Sequence, residues 1–398
     1  MTRATPPVVL GVCAFTTDSA AALIVDGSLV GFAQEERLTG VPHTNAYPTA
    51  AVTLLLDDAR LTPDQVDVVA YPLDGDRFLT ASAPGTEEPP DPGNAPDRDG
   101  IRARGLYRAY LDHQRRITDL NERFRDVRVV LHHQAHAMNA YVSSGYDEAA
   151  VLVVDHAGEV QTTTIGHARR TATGGCRYRI RAQLTDPHSI ADAYTAVTRH
   201  LGWQRGDEQN LMRLAGTGNP ARFRAMMHRA IAITKTGFEL NQLWFPVPSP
   251  PGPCVVSDIF AVHLCGPRDP DGPTRQVHAD LAAALQERTE EVMVHLARRA
   301  RQITQARHLC VGGALAANSV AIKAIVATGL FDDVHVPPSP GEAGTAIGAA
   351  TAVHLDLTRA LPRTSANPRR PGRDNARRPR PPAPRVPTDA AGSGDARD

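Results

Sequence analysis

Apolar residues in the first part of the chain fall in short runs separated by turn formers. Residues 8–14, 20–25 and 29–35 each read as a strand. Asp26-Gly27 between the second and third is a strong short-range hairpin signal. Ala51, Leu54, Leu55 and Ala59 share a face at helical spacing, so the pattern predicts a helix over 48–59. A short strand follows over 66–71. Residues 81–100 are crowded with Pro, Gly and Asp and predict a surface loop. A charged amphipathic helix is expected over 102–124, then a strand over 127–131 that leads into a helix opening at His132.

A second cycle then begins. Strands are predicted over 150–155 and 160–167, separated by a turn at Ala157-Gly158. Helices are expected over 190–201, 280–305 and 344–355, strands over 308–312 and 334–336, and a rigid proline-rich loop over 246–253. The strand, Asp-bearing turn and antiparallel strand of residues 10–24 are echoed at 153–165. That repetition predicts a duplicated α/β architecture, with one lobe over 1–149 and another over 150–360. Backbone N–H groups in such turns form anion-binding concavities. Residues 361–398 are Pro, Arg, Gly and Asp with almost no apolar side chains. They cannot bury enough surface to offset ordering entropy, so a disordered tail is expected there.

Composition narrows the function. Hydrophobic residues at 42% and charged residues at 22% are globular values, and 398 residues suffice for two lobes. Lys+Arg and Asp+Glu both number 43, so no global field favours nucleic acid or an acidic membrane, and neither partner is expected. The 5 cysteines are scattered without a CxxC pair, which argues against a disulfide framework or a cysteine zinc site and suits a reducing cytoplasm. No apolar run approaches the roughly 18 residues of a membrane span. A cytoplasmic protein without a signal peptide is the expectation.

Several residues carry candidate chemistry. His132 and His136 stand at i and i+4, which puts both imidazoles on one helix face, as two metal ligands require. His133 lies about 100° away and points elsewhere. Read without their surroundings, these are more simply the polar start of an ordinary helix. Asp18 follows the first strand, and Asp155 and Gly158 belong to the second phosphate-type hairpin. Gly312 and Gly313 end a strand and allow close backbone approach to a nucleotide.

Five blocks then occur in order: Asp18-Ser19-Ala20-Ala21-Ala22-Leu23; Gln34-Glu35-Glu36-Arg37-Leu38-Thr39 with His43; His132-His133-Gln134-Ala135-His136; Glu208 through Ala215; and Gly312-Gly313 to Asn318, followed by Gly341-Glu342-Ala343-Gly344. Their order and spacing over about residues 8–355 resemble the NodU/CmcH-type O-carbamoyltransferases, in the amino-terminal module related to Kae1/TsaD. The resemblance implies a two-lobed actin-like (ASKHA) fold. It implies transfer of a carbamoyl group from carbamoyl adenylate, an ATP-derived adenylate, to a substrate hydroxyl in natural-product biosynthesis. It implies a divalent metal, iron or zinc, held by His132, His136 and Glu342, where the family has Asp in place of Glu342. Asp155, Gly158, Gly312, Gly313 and Asn318 are the implied nucleotide residues.

Five departures qualify the resemblance. The residue before Asp18 is Thr17 where the family has a His, and a threonine hydroxyl has no pKa near neutrality to serve as a base. Asp18 and His43 are the nearest replacements. His156 replaces a Gly, and it either narrows the phosphate slot or points outward. Asn210 and Arg213 replace a Lys and a Gly. The YrdC-like activating domain of full-length relatives does not follow the closing helix, so a separate YrdC-like activating protein is the expected partner, with homo- or hetero-dimers open. The competing expectation is a catalytically degenerate homologue serving as a subunit of an active carbamoyltransferase.

Overall fold

A computed structural model describes residues 6–78, 98–246 and 255–364, with residues 98–104 as backbone helix alone. The first lobe contains β1 (Val9–Cys13), β2 (Ala20–Val25), β3 (Ser28–Gln34), α1 (Glu35–Thr39), α2 (Thr49–Ala59), β4 (Val68–Tyr71), α3 (Arg98–Arg123) and β5 (Val127–Val129). The β2–β3 hairpin turns where the pattern predicts, because Asp26 and Gly27 take φ of 49° and 68°, the two positive values that a tight hairpin turn needs. Then comes α4 (His132–Ser144).

The second lobe follows with β6 (Glu148–Val154), β7 (Gln161–Arg170), β8 (Cys176–Thr185), α5 (Ile190–His200), α6 (Glu208–Ala215) and α7 (Arg224–Ala230). It continues with the hairpin β9 (Ile231–Thr234) and β10 (Gly237–Leu240), α8 (Asp258–His263), α9 (Gln276–Thr304), β11 (His308–Gly312), α10 (Ser319–Ala327) and β12 (Asp333–His335). The chain closes with α11 (Thr345–Thr358) and β13 (Arg363–Thr364).

The two sheets have one topology. The first runs β3-β2-β1-β4-β5 and the second β8-β7-β6-β11-β12. In each, the central strand pairs antiparallel to the next strand and parallel to the fourth. This is the duplicated actin-like arrangement that the resemblance implies.

Two expectations need correction. Residues beyond 344 do not stay with the second lobe. Ala346, Ala349, Ala350 and Val353 of α11 share a core with Val9, Ala20, Ala22 and Ile24. β13 then pairs parallel with β3 at the edge of the first sheet. Nor does irregular chain begin at 361: Leu361 is buried in a core cluster, and Arg363 N–H donates to Gly27 O at 2.8 Å. One apolar anchor and one sheet edge suffice to order the segment. The sequence pattern also misses β8. Its side chains alternate, with Arg177, Arg179 and Arg181 exposed and Tyr178 and Ile180 half-buried, so it reads as polar. It is an edge strand, where outward charge blunts edge-to-edge pairing. The loops expected over 81–97 and 247–253 and the tail beyond 364 lie outside the described residues, and residues 98–100 are already helix.

The helix α4 joins the lobes. Ala135 and Met138 pack into the core of the first lobe with α11, while Ala137, Ala140 and Tyr141 pack into the second with Val151 and Val153. Contact with α11 is at backbone distance: a Cβ at Gly348 would stand 1.7 Å from Ala135 O. Gly348→Ala is therefore expected to cost at least about 3 kcal/mol, the upper end for overpacking, because a backbone carbonyl cannot swing aside. Urea unfolding of the variant checks this through the shift in its midpoint.

Candidate functional site

Helix α4 begins one residue after Leu131 and carries His132, His133, His136 and Asn139, all buried. β6 ends at Val154 against the same helix, so Asp155 emerges directly at the imidazoles. His132 Nε2 lies 3.0 Å and His136 Nε2 2.9 Å from Asp155 Oδ2, and the two nitrogens lie 3.1 Å apart. Glu342 Oε1 stands at the edge of this group, 3.7 Å from His132 Nε2. Asp155, expected on the nucleotide, is thus the carboxylate that touches both histidines. The signal in the sequence was its place as first residue after a buried strand, which its assignment to the phosphate hairpin concealed. His133 turns away, as its helical angle predicts, with Nδ1 3.2 Å from Thr164 Oγ1, and burial drives its pKa down to about 3.

A further carboxylate missed in the sequence builds the site. Glu159 Oε1 accepts from His132 N–H and from Asp74 N–H, both at 3.0 Å, and so ties the β6–β7 turn of the second lobe to the first. His132 Nδ1 donates to Pro72 O at 3.1 Å, since a carbonyl can only accept. Burial opposes a charge on His132, yet Glu342, Asp155 and Glu159 outweigh it and raise the pKa to about 10. Burial likewise opposes ionisation of Asp155, but His136 and His132 hold it well below the usual carboxylate range.

These atoms fit a metal ion. His132, His136 and Asp155 each offer a ligand atom, all within 4.8 Å of one another. Their separations of 2.9–3.1 Å suit neighbouring donors on one ion with N/O bonds of about 2.1 Å. The Nδ1–H bond to Pro72 fixes the His132 ring and leaves Nε2 as the donor atom. Among the described residues Glu342 Oε2 and Glu159 Oε2 are buried without a hydrogen-bond partner, which leaves two oxygen acceptors unpaired around the site.

The implied nucleotide residues surround this group in varied roles. Gly158 packs on α4, where a Cβ would come 2.8 Å from that of His132. Gly313 has φ of 86°, and Ala314 N–H donates to Asp155 Oδ1 at 3.0 Å, so the turn after β11 clasps the same carboxylate. Gly312 lies against His136 O. Asn318 caps α10, accepting from Ala321 N–H at 3.0 Å, and exchanges hydrogen bonds with Gln286. A cavity of about 140 Å³ adjoins this turn, lined by His156, Tyr194, Glu208, Ala314, Leu315 and Asn318 among others. His156 therefore narrows the pocket, with Nδ1 held 2.8 Å from Asp192 Oδ1. Arg213 is exposed and bonded to Asn210 at 3.0 Å, outside that cavity.

Asp18 and His43 come together, with Asp18 Oδ1 2.7 Å from His43 Nδ1. The neighbouring Glu35 is structural and acts by capping. Its oxygens accept from Ala50 N–H at 3.0 Å and Ala51 N–H at 2.8 Å, closing the start of α2. Glu36 accepts from His43 N–H at 3.1 Å.

Fold and site define a two-lobed, duplicated α/β protein with a buried histidine–carboxylate cluster where the lobes meet. The chain belongs to the carbamoyltransferase N-terminus family, which it matches over residues 8–351. An uncharacterized protein of Synechocystis sp. is 30% identical over 87% of this chain and 56% of its own length. Nodulation protein NolNO of Sinorhizobium fredii is 26% identical over 88% of this chain and 48% of its own length. The chain thus spans about half the length of these relatives. Among solved structures it is similar to component A of the (R)-2-hydroxyglutaryl-CoA dehydratase of Acidaminococcus fermentans, at 10% identity and a TM-score of 0.39 over 88% of this chain and 98% of that one. No helix among the described residues is long and apolar enough to cross a membrane.

Replacing Glu35 by Ala leaves two N–H groups at the start of α2 unpaired. The expected loss is about 1–3 kcal/mol, the cost of orphaned buried donors. Thermal unfolding detects it as a lowered Tm.

Proposed function

We propose that this chain is the transfer half of a carbamoylation system. It takes carbamoyl adenylate and passes the carbamoyl group to a hydroxyl of a small molecule. The observation that carries this reading is the buried His132–His136–Asp155 group, with Glu342 at its edge, built on the helix that both lobes share. Family membership supports the reaction class.

His132, His136 and Asp155 would hold a divalent ion of the iron or zinc kind, with Glu342 close enough to join them. Such an ion supplies positive charge to the phosphate oxygens of the donor. The chain's own groups do the rest. Pro72 O and Glu159 orient His132 through its ring and its backbone. Ala314 N–H holds Asp155 through its other oxygen. The cavity beside Ala314 and Asn318 offers the donor's nucleoside a partly apolar seat, and His156 sets its width.

The test combines metal analysis with transfer. Wild-type protein is expected to bind one equivalent of Fe²⁺ or Zn²⁺. His136→Ala and Asp155→Asn should each weaken it by more than the roughly 10–100-fold of outer-shell changes. With ATP, carbamoyl phosphate and an activating YrdC-type protein, a sugar acceptor should gain the mass of one carbamoyl group. Stoichiometric metal without any product would instead favour a degenerate partner subunit, and absence of both would overturn the reading.

A further inference from the structure

Two non-glycine residues with left-handed backbone meet at the mouth between the lobes. Asp18, in the β1–β2 turn, has φ of 62°, and His43, in the loop after α1, has φ of 50°. Such conformations cost about 1–3 kcal/mol each and persist where the surroundings over-determine them. Here they do. Ser19 N–H donates to Thr44 O at 3.0 Å, Phe15 N–H to Asn45 O at 2.9 Å, and Ser19 Oγ to Ala46 O at 2.6 Å. The loop after His43 is thereby laced to the turn that carries Asp18. Glu36 anchors the His43 backbone from α1.

This lacing orients an imidazole. An ionised carboxylate only accepts, so His43 Nδ1 carries the hydrogen toward Asp18 Oδ1, and the neutral ring keeps its lone pair on Nε2. The ring packs on Gly206 of the second lobe, where a Cβ would come 2.5 Å from Nε2 and 2.9 Å from each adjacent ring carbon. Gly206 has φ of 101°, so its backbone also favours glycine. The His43 side chain remains 47% exposed, so the ring is open to solution.

We propose that His43 is the catalytic base for the acceptor hydroxyl, with Asp18 as its positioning residue and Gly206 giving the ring room to lie against the second lobe. The inference rests on the carbamoyl-transfer reading above. The acceptor O–H proton passes to His43 Nε2 as the hydroxyl oxygen bonds to the carbamoyl carbon of the mixed anhydride. The bond from that carbon to the phosphate oxygen breaks, and its electron pair leaves with the adenylate. Nδ1–H stays on Asp18, which offsets the imidazolium charge.

The groups facing the ring are Asp18 from the β1–β2 turn, Glu36 from α1 and Glu208 from α6. The hydrogen bond to Asp18 holds His43 above its ordinary 6.5, against the opposing effect of burial, and the other two carboxylates add to the rise. A base works when unprotonated, so the rate should climb with pH through a pKa above 6.5.

The experiment uses the full chain with metal, ATP, carbamoyl phosphate, an added YrdC-type protein and a panel of hexoses and N-acetylhexosamines. His43→Gln should lower kcat by about 10²–10⁴-fold, the usual share of a general base, with KM little changed. Asp18→Asn should lower kcat and move the rising limb of the pH profile to lower pH, a shift that a merely structural role would not produce. Metal content equal to wild type certifies the fold of each variant. A wild type that transfers while His43→Gln keeps its rate, or an unmoved limb in Asp18→Asn, overturns this inference alone. A wild type that transfers to no acceptor overturns the carbamoyl-transfer reading and the inference with it.

Discussion

Backbone-to-backbone packing around α4 is the constraint on which the rest of the structure depends. A helix that must serve two cores at once can do so only if its neighbours come close on every side. Gly348 of α11 lies against Ala135 O, Gly312 of β11 against His136 O, and Gly158 against the His132 side chain. Gly11 of β1 in turn lets α11 settle on the first sheet, since a Cβ there would stand 1.9 Å from Ala346 O. Small residues at these points let dense packing reach the backbone, and the imidazoles inherit that rigidity.

Rigidity matters because the site gathers charge where water is scarce. Taking ions out of water costs several kcal/mol each even after relaxation, so a buried cluster persists only with good geometry and further hydrogen bonds. Asp155 is met by two imidazoles and by Ala314 N–H; Glu159 is met by two backbone N–H groups from the first lobe. The raised pKa of His132 shows positive charge favoured at the place where a metal cation would sit. A cation held there by fixed ligands would offer charge without reorganisation.

The mouth of the site follows another logic. Asp18 and His43 are exposed enough to meet a small molecule, and their order comes from hydrogen bonds between two loops rather than from burial. Strained backbone at both positions is held by contacts within one lobe, while the partner surface, Gly206, belongs to the other.

Periodicity along the chain determined much on its own. The β2–β3 hairpin, the strand ending at Gly312, the helix opening at His132 and the repeat of one strand cycle in each half were all legible, because each depends on neighbours within a few residues. The i, i+4 spacing likewise put His132 and His136 on one face and His133 on another. Tertiary structure alone decided the partners. The sequence pointed to Glu342 as the carboxylate of the histidines, but β6 aims Asp155 at them from a different element. It left Asp18 and His43 as separate candidates, and loop-to-loop hydrogen bonds join them. It also placed residues 345–360 with the second lobe, whereas α11 returns to the first. Spacing reports which side chains share a face of one element; which elements meet is set by packing between residues far apart in the chain, and that packing made a site out of the motifs.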